Sequence, residues 1–365
     1  MSKVNRRQFL CQTAMAATGL VIAACTKTPE PAPAATAVPG PTAVPAATAA
    51  TAPTAAPPTG FQEAPMLAEL VKAGKLPPVE ERLPKNPKLV NEHAADLLDL
   101  KIGKYGGTCR TGTTSPNFDA ELFVCCNEPL INTPSILGHE FTPNILENYE
   151  VSPDQKEFTF YLRPGLKWSD GHPVTTADVK FAIEDILFDQ EYTATIPSWL
   201  RAANDPRGEP LKLQIIDDFT YKVTFDKPYG GFIVALAIQF WRGYTEFLKP
   251  AHYLKPYHKK YADADKLQAM IAEEKVENWV QLLARKDRTL EAIGFPSLYP
   301  WVIKEMSQDS AVFERNPYYF KVDAAGQQLP YLDRLYSWIL PNQEMFTMKQ
   351  IAGEIDYTGR FTVLT

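Results

Sequence analysis

Histidine and cysteine are scarce in this chain, five of each in 365 residues, and neither type gathers into a motif that does chemistry. His139-Glu140 has no second histidine four positions on. His252 and His258 form a loose pair beside Tyr253 and Tyr257 that reads as exposed or hydrogen-bonded histidines, so no metal site is expected. A Gly-x-Ser-x-Gly elbow, a phosphate-cradling glycine loop and a dinucleotide fingerprint are missing too, which leaves an enzyme without motif support and no cofactor to expect. Runs of one charge are also lacking. Lys and Arg number 37 against 43 Asp and Glu, a net charge of -6, and no basic face for nucleic acid can be assembled from them. Nor does any stretch reach the roughly 20 mainly apolar residues of a spanning helix; the longest candidate, ending at Ala24, is interrupted by Gln12, Thr13 and Thr18.

What the chain does have is apolar mass. At 45% hydrophobic and 11% aromatic residues it can bury a large core and should hold more than one domain. Many of its 32 prolines crowd into residues 29–58, so their excess describes a segment and not the fold.

Residues 1–24 read as a signal peptide: a basic start with Lys3, Arg6 and Arg7, an apolar stretch, then small residues before a cysteine. Val21-Ile22-Ala23-Ala24-Cys25 resembles a bacterial lipobox, in which only a thiol can serve as the nucleophile that takes up diacylglycerol. Cys25 is therefore expected to carry lipid, and at about 0.8 kcal/mol per buried methylene two or three acyl chains hold a soluble domain at a membrane. Arg6-Arg7-Gln8-Phe9-Leu10 resembles a twin-arginine export signal, with Asn5 and Cys11 departing from the usual pattern; the general export route is the alternative. From residue 25 to 60 the chain is almost wholly Ala, Pro and Thr. No core can form from it, and it reads as a tether that could reach on the order of 100 Å if stiff.

The body, residues 61–365, opens with a helical pattern (Met66, Leu67, Leu70, Val71) that ends at Gly74, followed by a proline-rich connection to Pro87. A first strand is expected over residues 104–111. Residues 157–162 alternate Phe158, Phe160 and Leu162 against Thr159 and Tyr161, a half-buried strand. Arg163-Pro164-Gly165 and Ser169-Asp170-Gly171 then supply two turns. Thr175 with Asp178 forms a capping box, and the helix it opens sets Val179, Ala182, Ile183, Ile186 and Leu187 on one face. A hairpin is predicted around residues 217–220, helices over 264–272 and 276–283, and strands over 311–314 and 335–340. Strands and helices without regular alternation point to α/β with mixed sheets.

The stretch Phe158-Thr-Phe-Tyr-Leu-Arg-Pro-Gly-Leu-Lys-Trp-Ser-Asp-Gly-His-Pro-Val-Thr-Thr-Ala-Asp-Val-Lys-Phe181 resembles the signature of the family 5 extracellular solute-binding proteins of ABC importers. Tyr105-Gly-Gly-Thr108, Ile216-Asp-Asp-Phe-Thr-Tyr-Lys-Val-Thr-Phe225, Arg315-Asn-Pro-Tyr-Tyr-Phe320, Gln327-Gln-Leu-Pro-Tyr-Leu-Asp-Arg334 and Gly353-Glu-Ile-Asp356 continue the series in the family's order. Where members often carry Gly-Thr-Gly-Pro-Tyr, this chain has Phe295-Pro-Ser-Leu-Tyr-Pro-Trp301.

The resemblance implies a mixed-sheet, type II periplasmic-binding-protein-like lobe with an additional α+β subdomain. Because the Gly-Glu-Ile-Asp element lies well inside family members, it also implies a second lobe that is incomplete here. The implied function is capture of an extracytoplasmic solute for a permease and its ATPase, without catalysis. An oligopeptide leads as solute, then an oligosaccharide, then a nickel chelate. A lipid-anchored hydrolase and a noncatalytic surface receptor or adhesin are the rivals.

Candidate solute contacts sit on loops after strands: Thr113 and Ser115, then Asn127 and Glu128, with Trp241, Tyr299 and Trp301 as aromatic walls. An aromatic in the apolar stretch 232–241 reads more readily as core, and Glu128 equally as a surface charge. Outside the cytoplasm Cys109 could pair with Cys125 or Cys126, or all three could stay reduced.

Overall fold

The computed structural model describes residues 60–90, 101–114, 122, 126–133, 141–239 and 243–358. Arg6, Arg7, Cys25, Ser115, Cys125 and Trp241 lie outside the described residues, as do the signal peptide and tether. In chain order the elements are α1 (Pro65–Lys72), α2 (Val79–Arg82), β1 (Lys88–Leu89), β2 (Thr108–Thr113), β3 (Ile131–Asn132), β4 (Thr142–Pro143), β5 (Leu146–Val151) and β6 (Glu157–Leu162). There follow α3 (Thr176–Lys180, running on as the π-helix Phe181–Leu187), β7 (Lys212–Ile215), β8 (Thr220–Thr224), α4 (Phe232–Val234), α5 (Ala251–Leu254), α6 (Ala264–Glu273) and α7 (Trp279–Lys286). The last are β9 (Trp301–Met306), β10 (Ser310–Arg315), β11 (Lys321–Val322), β12 (Arg334–Ile339) and α8 (Gln343–Ile351).

The alternating stretch becomes β6, inside an antiparallel sheet of order β5-β6-β8-β7. Phe158, Phe160 and Leu162 point into the core, where both phenylalanines meet Phe232 edge-on at ring separations of 5.0 and 6.2 Å. The turn that follows is held by Arg163, whose buried guanidinium donates to the carbonyls of Asn144 (3.0 Å), Asn86 (2.8 Å) and Leu146 (3.2 Å). Burial lowers its pKa to about 10. Gly171 takes φ +91°, the left-handed conformation expected of the Asp-Gly turn.

The capping box forms as predicted: Ala177 N–H donates to Thr175 Oγ1 and Thr175 N–H donates to Asp178. All five residues of the predicted apolar face are buried, but so are Phe181 and Asp185. The reason is tertiary. Val179, Ile183 and Leu187 join the core under the sheets, while Phe181 and Ile186 join a second core made with α5, α6 and α7. The helix is a partition between two cores, and Asp185 is satisfied there by Lys260 Nζ and the Tyr261 hydroxyl, each at 2.6 Å.

A second sheet has the order β2-β12-β10-β9, with β2 and β12 parallel and the other pairs antiparallel. The fold is thus mixed α/β with several sheets, as read from the sequence. Two boundaries are corrected and one element is added. The first strand begins at Thr108, not residue 104, because Gly106 and Gly107 (φ +120° and +86°) turn the chain just before it. The helix predicted over 276–283 starts at Trp279, since Lys275 is left-handed (φ +53°) and Asn278 caps the helix by accepting from Gln281 N–H. The proline-rich connection also contains α2, whose Arg82 is fully buried, donating to Pro77 O (3.0 Å) and Gln328 Oε1 (2.8 Å), to Pro317 O and to Glu63. No helix among the described residues is long and apolar enough to cross a membrane.

Candidate functional site

Glu128 is not a surface charge. It is 3% exposed, and its carboxylate lies 2.7 Å from Lys321 Nζ, accepts from Asn144 Nδ2 at 2.8 Å and accepts from the Tyr319 hydroxyl. A buried carboxylate persists only with such partners. Burial, and then the charge of Glu128, push the Tyr319 hydroxyl well above its ordinary pKa, so it stays a donor. The Glu128 carbonyl accepts from Tyr244 N–H (2.8 Å), and the Tyr244 ring packs on Tyr299 at 5.2 Å. Asn127 sits beside Gly243: a Cβ there would stand 2.9 Å from Asn127 Oδ1 and 2.3 Å from the Glu128 carbonyl. Asn127, Glu128 and Tyr299 are therefore brought together, in a buried polar and aromatic cluster.

Trp301 and Thr113 are kept apart. Register places Trp301 opposite Arg315, and Arg334 beside Thr108, at one end of the second sheet; Thr113 pairs with Ile339 at the other. Five strand steps separate the ends, about 17 Å. Thr113 is buried, and its carbonyl accepts from Leu340 N–H (2.7 Å). Trp301 is half-buried and donates through Nε1 to Leu332 O (3.1 Å).

Sequence reasoning missed the groups that knit these pieces together. Ser297, inside the segment that departs from the family pattern, accepts at its carbonyl from Ser169 N–H (3.1 Å) and Asn316 Nδ2 (3.1 Å), tying the signature turn to the Arg-Asn-Pro element. The hydroxyls of Thr111 and Ser337, opposite one another on β2 and β12, are buried without a hydrogen-bond partner among the described residues. Neither signals itself in sequence, because only the parallel register puts the two side by side. Cys109 and Cys126 carry thiols with no disulfide between them, and burial pushes the Cys109 thiol up. A surface cavity of about 240 Å³ is lined by Tyr253, Arg285, Lys286, Arg288, Glu291 and their neighbours. Its cations are already neutralised, Arg285 and Lys286 by Glu274 and Arg288 by Glu291, and none of the described sequence candidates lines it.

The family model for bacterial extracellular solute-binding proteins, family 5 Middle, matches residues 140–364. The chain is 32% identical over 288 residues to a periplasmic alpha-galactoside-binding protein of Rhizobium meliloti (strain 1021), covering 73% of this chain and 37% of that protein. Among solved structures, an oligopeptide-binding protein OppA superposes with a TM-score of 0.71 at 34% identity, covering 82% of this chain and 44% of its own. The periplasmic binding protein MelB of Agrobacterium fabrum C58, solved with stachyose, gives 0.63 at 27% identity with the same coverage. The chain thus spans less than half the length of each of these relatives. All three are named as binding proteins. With the signature strand, turn and capped helix folded as one unit and matched across most of the body, the chain belongs to the bacterial extracellular solute-binding proteins of family 5.

Proposed function

We propose that this protein captures an oligopeptide or an oligosaccharide outside the cytoplasm and hands it to an ABC permease driven by an ATPase. The observation that carries this reading is the family match over residues 140–364. Two neighbours support the solute classes in particular, the OppA structure for peptides and the stachyose-bound structure for sugars. Solute capture of this kind rests on closure stabilised by ligand contacts and needs no reacting group. Ser115, Asn127 and Trp241 are the proposed solute contacts, and Thr113, buried at the end of β2, supports them from the protein side. Glu128, Tyr299 and Trp301 support the site, their polar atoms being engaged by protein partners. Anchoring through lipid at Cys25, after twin-arginine export directed by Arg6 and Arg7, completes the proposal.

The test is thermal unfolding of the chain with a mixed oligopeptide pool and, separately, with α-galactosides including stachyose. A ligand present at 100 times its Kd adds about 2.7 kcal/mol to stability, so a rise with one pool names the class. No rise with either overturns the solute reading. For the anchor, mass spectrometry of the exported protein should find an acylated N-terminal Cys25; a Cys25→Ala variant that still partitions with membranes overturns lipidation.

A further inference from the structure

The signature turn carries a cluster that lies outside the proposed solute contacts. Asp170 and His172 sit on the turn before the capped helix, and His252 is the second residue of α5, 82 positions on from Asp170. His252 Nε2 lies 2.7 Å and His172 Nδ1 3.3 Å from the same oxygen, Asp170 Oδ2. The two imidazoles are stacked, with centroids 4.0 Å apart and planes 14° from parallel, and the three donor atoms all lie within 4.8 Å of one another. We propose that Asp170, His172 and His252 form a binding site for a divalent first-row transition-metal ion of the zinc type.

The geometry suits such an ion. Zinc with nitrogen and oxygen ligands at 2.0–2.2 Å in a tetrahedron needs donors about 3.3 to 3.6 Å apart. The 3.3 Å separation from His172 meets that, the 2.7 Å from His252 must open, and the stacked rings must unstack so that both lone pairs meet the ion, which the exposed His172 side chain allows by rotating. Two imidazoles and one carboxylate select zinc, nickel, copper or cobalt over magnesium or calcium, which want oxygen. Three protein ligands leave a coordination position for water. The His172 side chain is 60% exposed, so the ion has an entry path.

The donors are held in place from behind. Asp170 Oδ1 accepts from His172 N–H (3.1 Å), which leaves Oδ2 for the histidines. Beneath, buried Asp178 accepts from Trp168 Nε1 (3.2 Å) on the turn side and from Ala251 N–H (2.9 Å) next to His252. One carboxylate thus ties both ligand-bearing segments to the same point. Gly171 is packed against Tyr318, where a Cβ would stand 2.8 Å from the hydroxyl. A bound ion would pin the signature turn to α5.

The experiment is calorimetric titration of the full chain, stripped with EDTA, using ZnCl₂ and then MgCl₂, alongside His172→Ala and His252→Ala. Expected is one equivalent of zinc with no response to magnesium, and a loss of at least about tenfold in affinity in each variant. Zinc should raise the unfolding temperature of the parent chain and not of His172→Ala, which removes an exposed side chain and should melt like the parent without metal. Cobalt as a spectroscopic probe reports the donors. An intense near-ultraviolet thiolate band would assign the metal to cysteines and overturn the proposal, as would zinc binding unchanged in both variants or absent from the parent.

Discussion

Lys88 shows what burial does to one side chain. Its ammonium donates to Pro143 O at 2.9 Å, and burial, helped by the nearby charges of Arg163 and Lys321, lowers its pKa from 10.5 to about 8. Between those values the unfolded chain holds a proton that the folded chain has released, so stability rises with pH from about 8 to about 10.5. Denaturant midpoints measured over that range should climb, and Lys88→Met should flatten the climb; a parallel rise in the variant would remove Lys88 as its source. Glu128 makes the opposite case, a buried charge that is paired. Glu128→Ala leaves Lys321 and the Tyr319 hydroxyl without their acceptor, while the Asn144 amide keeps Pro129 O, and should cost about 3 kcal/mol in urea unfolding. A change within about 0.5 kcal/mol would mean that the cluster is solvated and carries no structural load.

Among the elements, the start of the capped helix gathers bonds from the signature turn, the hairpin and α5. Thr175→Ala removes an ordinary N-cap and should cost about 1 kcal/mol. Asp178→Ala should cost more, about 3 kcal/mol, because the indole of Trp168 and the amides of Thr175 and Ala251 lose their acceptor together. Equal costs would show that the contacts to Trp168 and α5 contribute nothing. The hairpin turn docks on the same helix start, since Thr176 donates from its hydroxyl to Asp217 O (2.7 Å) and from its N–H to Asp218 O (2.9 Å). Signature and hairpin are thereby one structural unit.

Across the whole molecule, the pairing of Arg110 with Asp356 joins β2 to the Gly-Glu-Ile-Asp element 246 positions away. The hydrogen bonds from the Arg110 side chain and backbone hold the Asp356 carboxyl at about 2, below its ordinary 3.8. A depressed carboxylate stabilises the fold above about 3.8 and loses that contribution as pH falls towards 2. Both side chains are some two-fifths exposed, so the effect is screened and modest. Unfolding temperatures between pH 5 and pH 2 should fall less steeply in Asp356→Asn than in the parent chain. The same slope in both would place the acid sensitivity elsewhere.

Local rules were sufficient for much of this protein. Period-two alternation gives β6 to the residue, a hydroxyl and a carboxylate three positions apart give the capping box, and an ordered series of short motifs gives the family, because each depends on neighbours within one turn or one strand. The site was less legible. That Glu128 is buried, that Trp301 and Thr113 stand at opposite ends of a sheet, that His252 faces Asp170 and His172 rather than His258, and that one helix serves two cores depend on contacts made across dozens to hundreds of residues. His258 is itself buried against Trp279, its Nε2 3.0 Å from Asp185 O. Periodicity reports how a segment meets its immediate surroundings, and it is silent on which distant segment supplies them. Propensity and capping decided where the strands and helices lie. Only tertiary packing, which sets sheet register and burial, decided which of the polar side chains are buried and what they bond to.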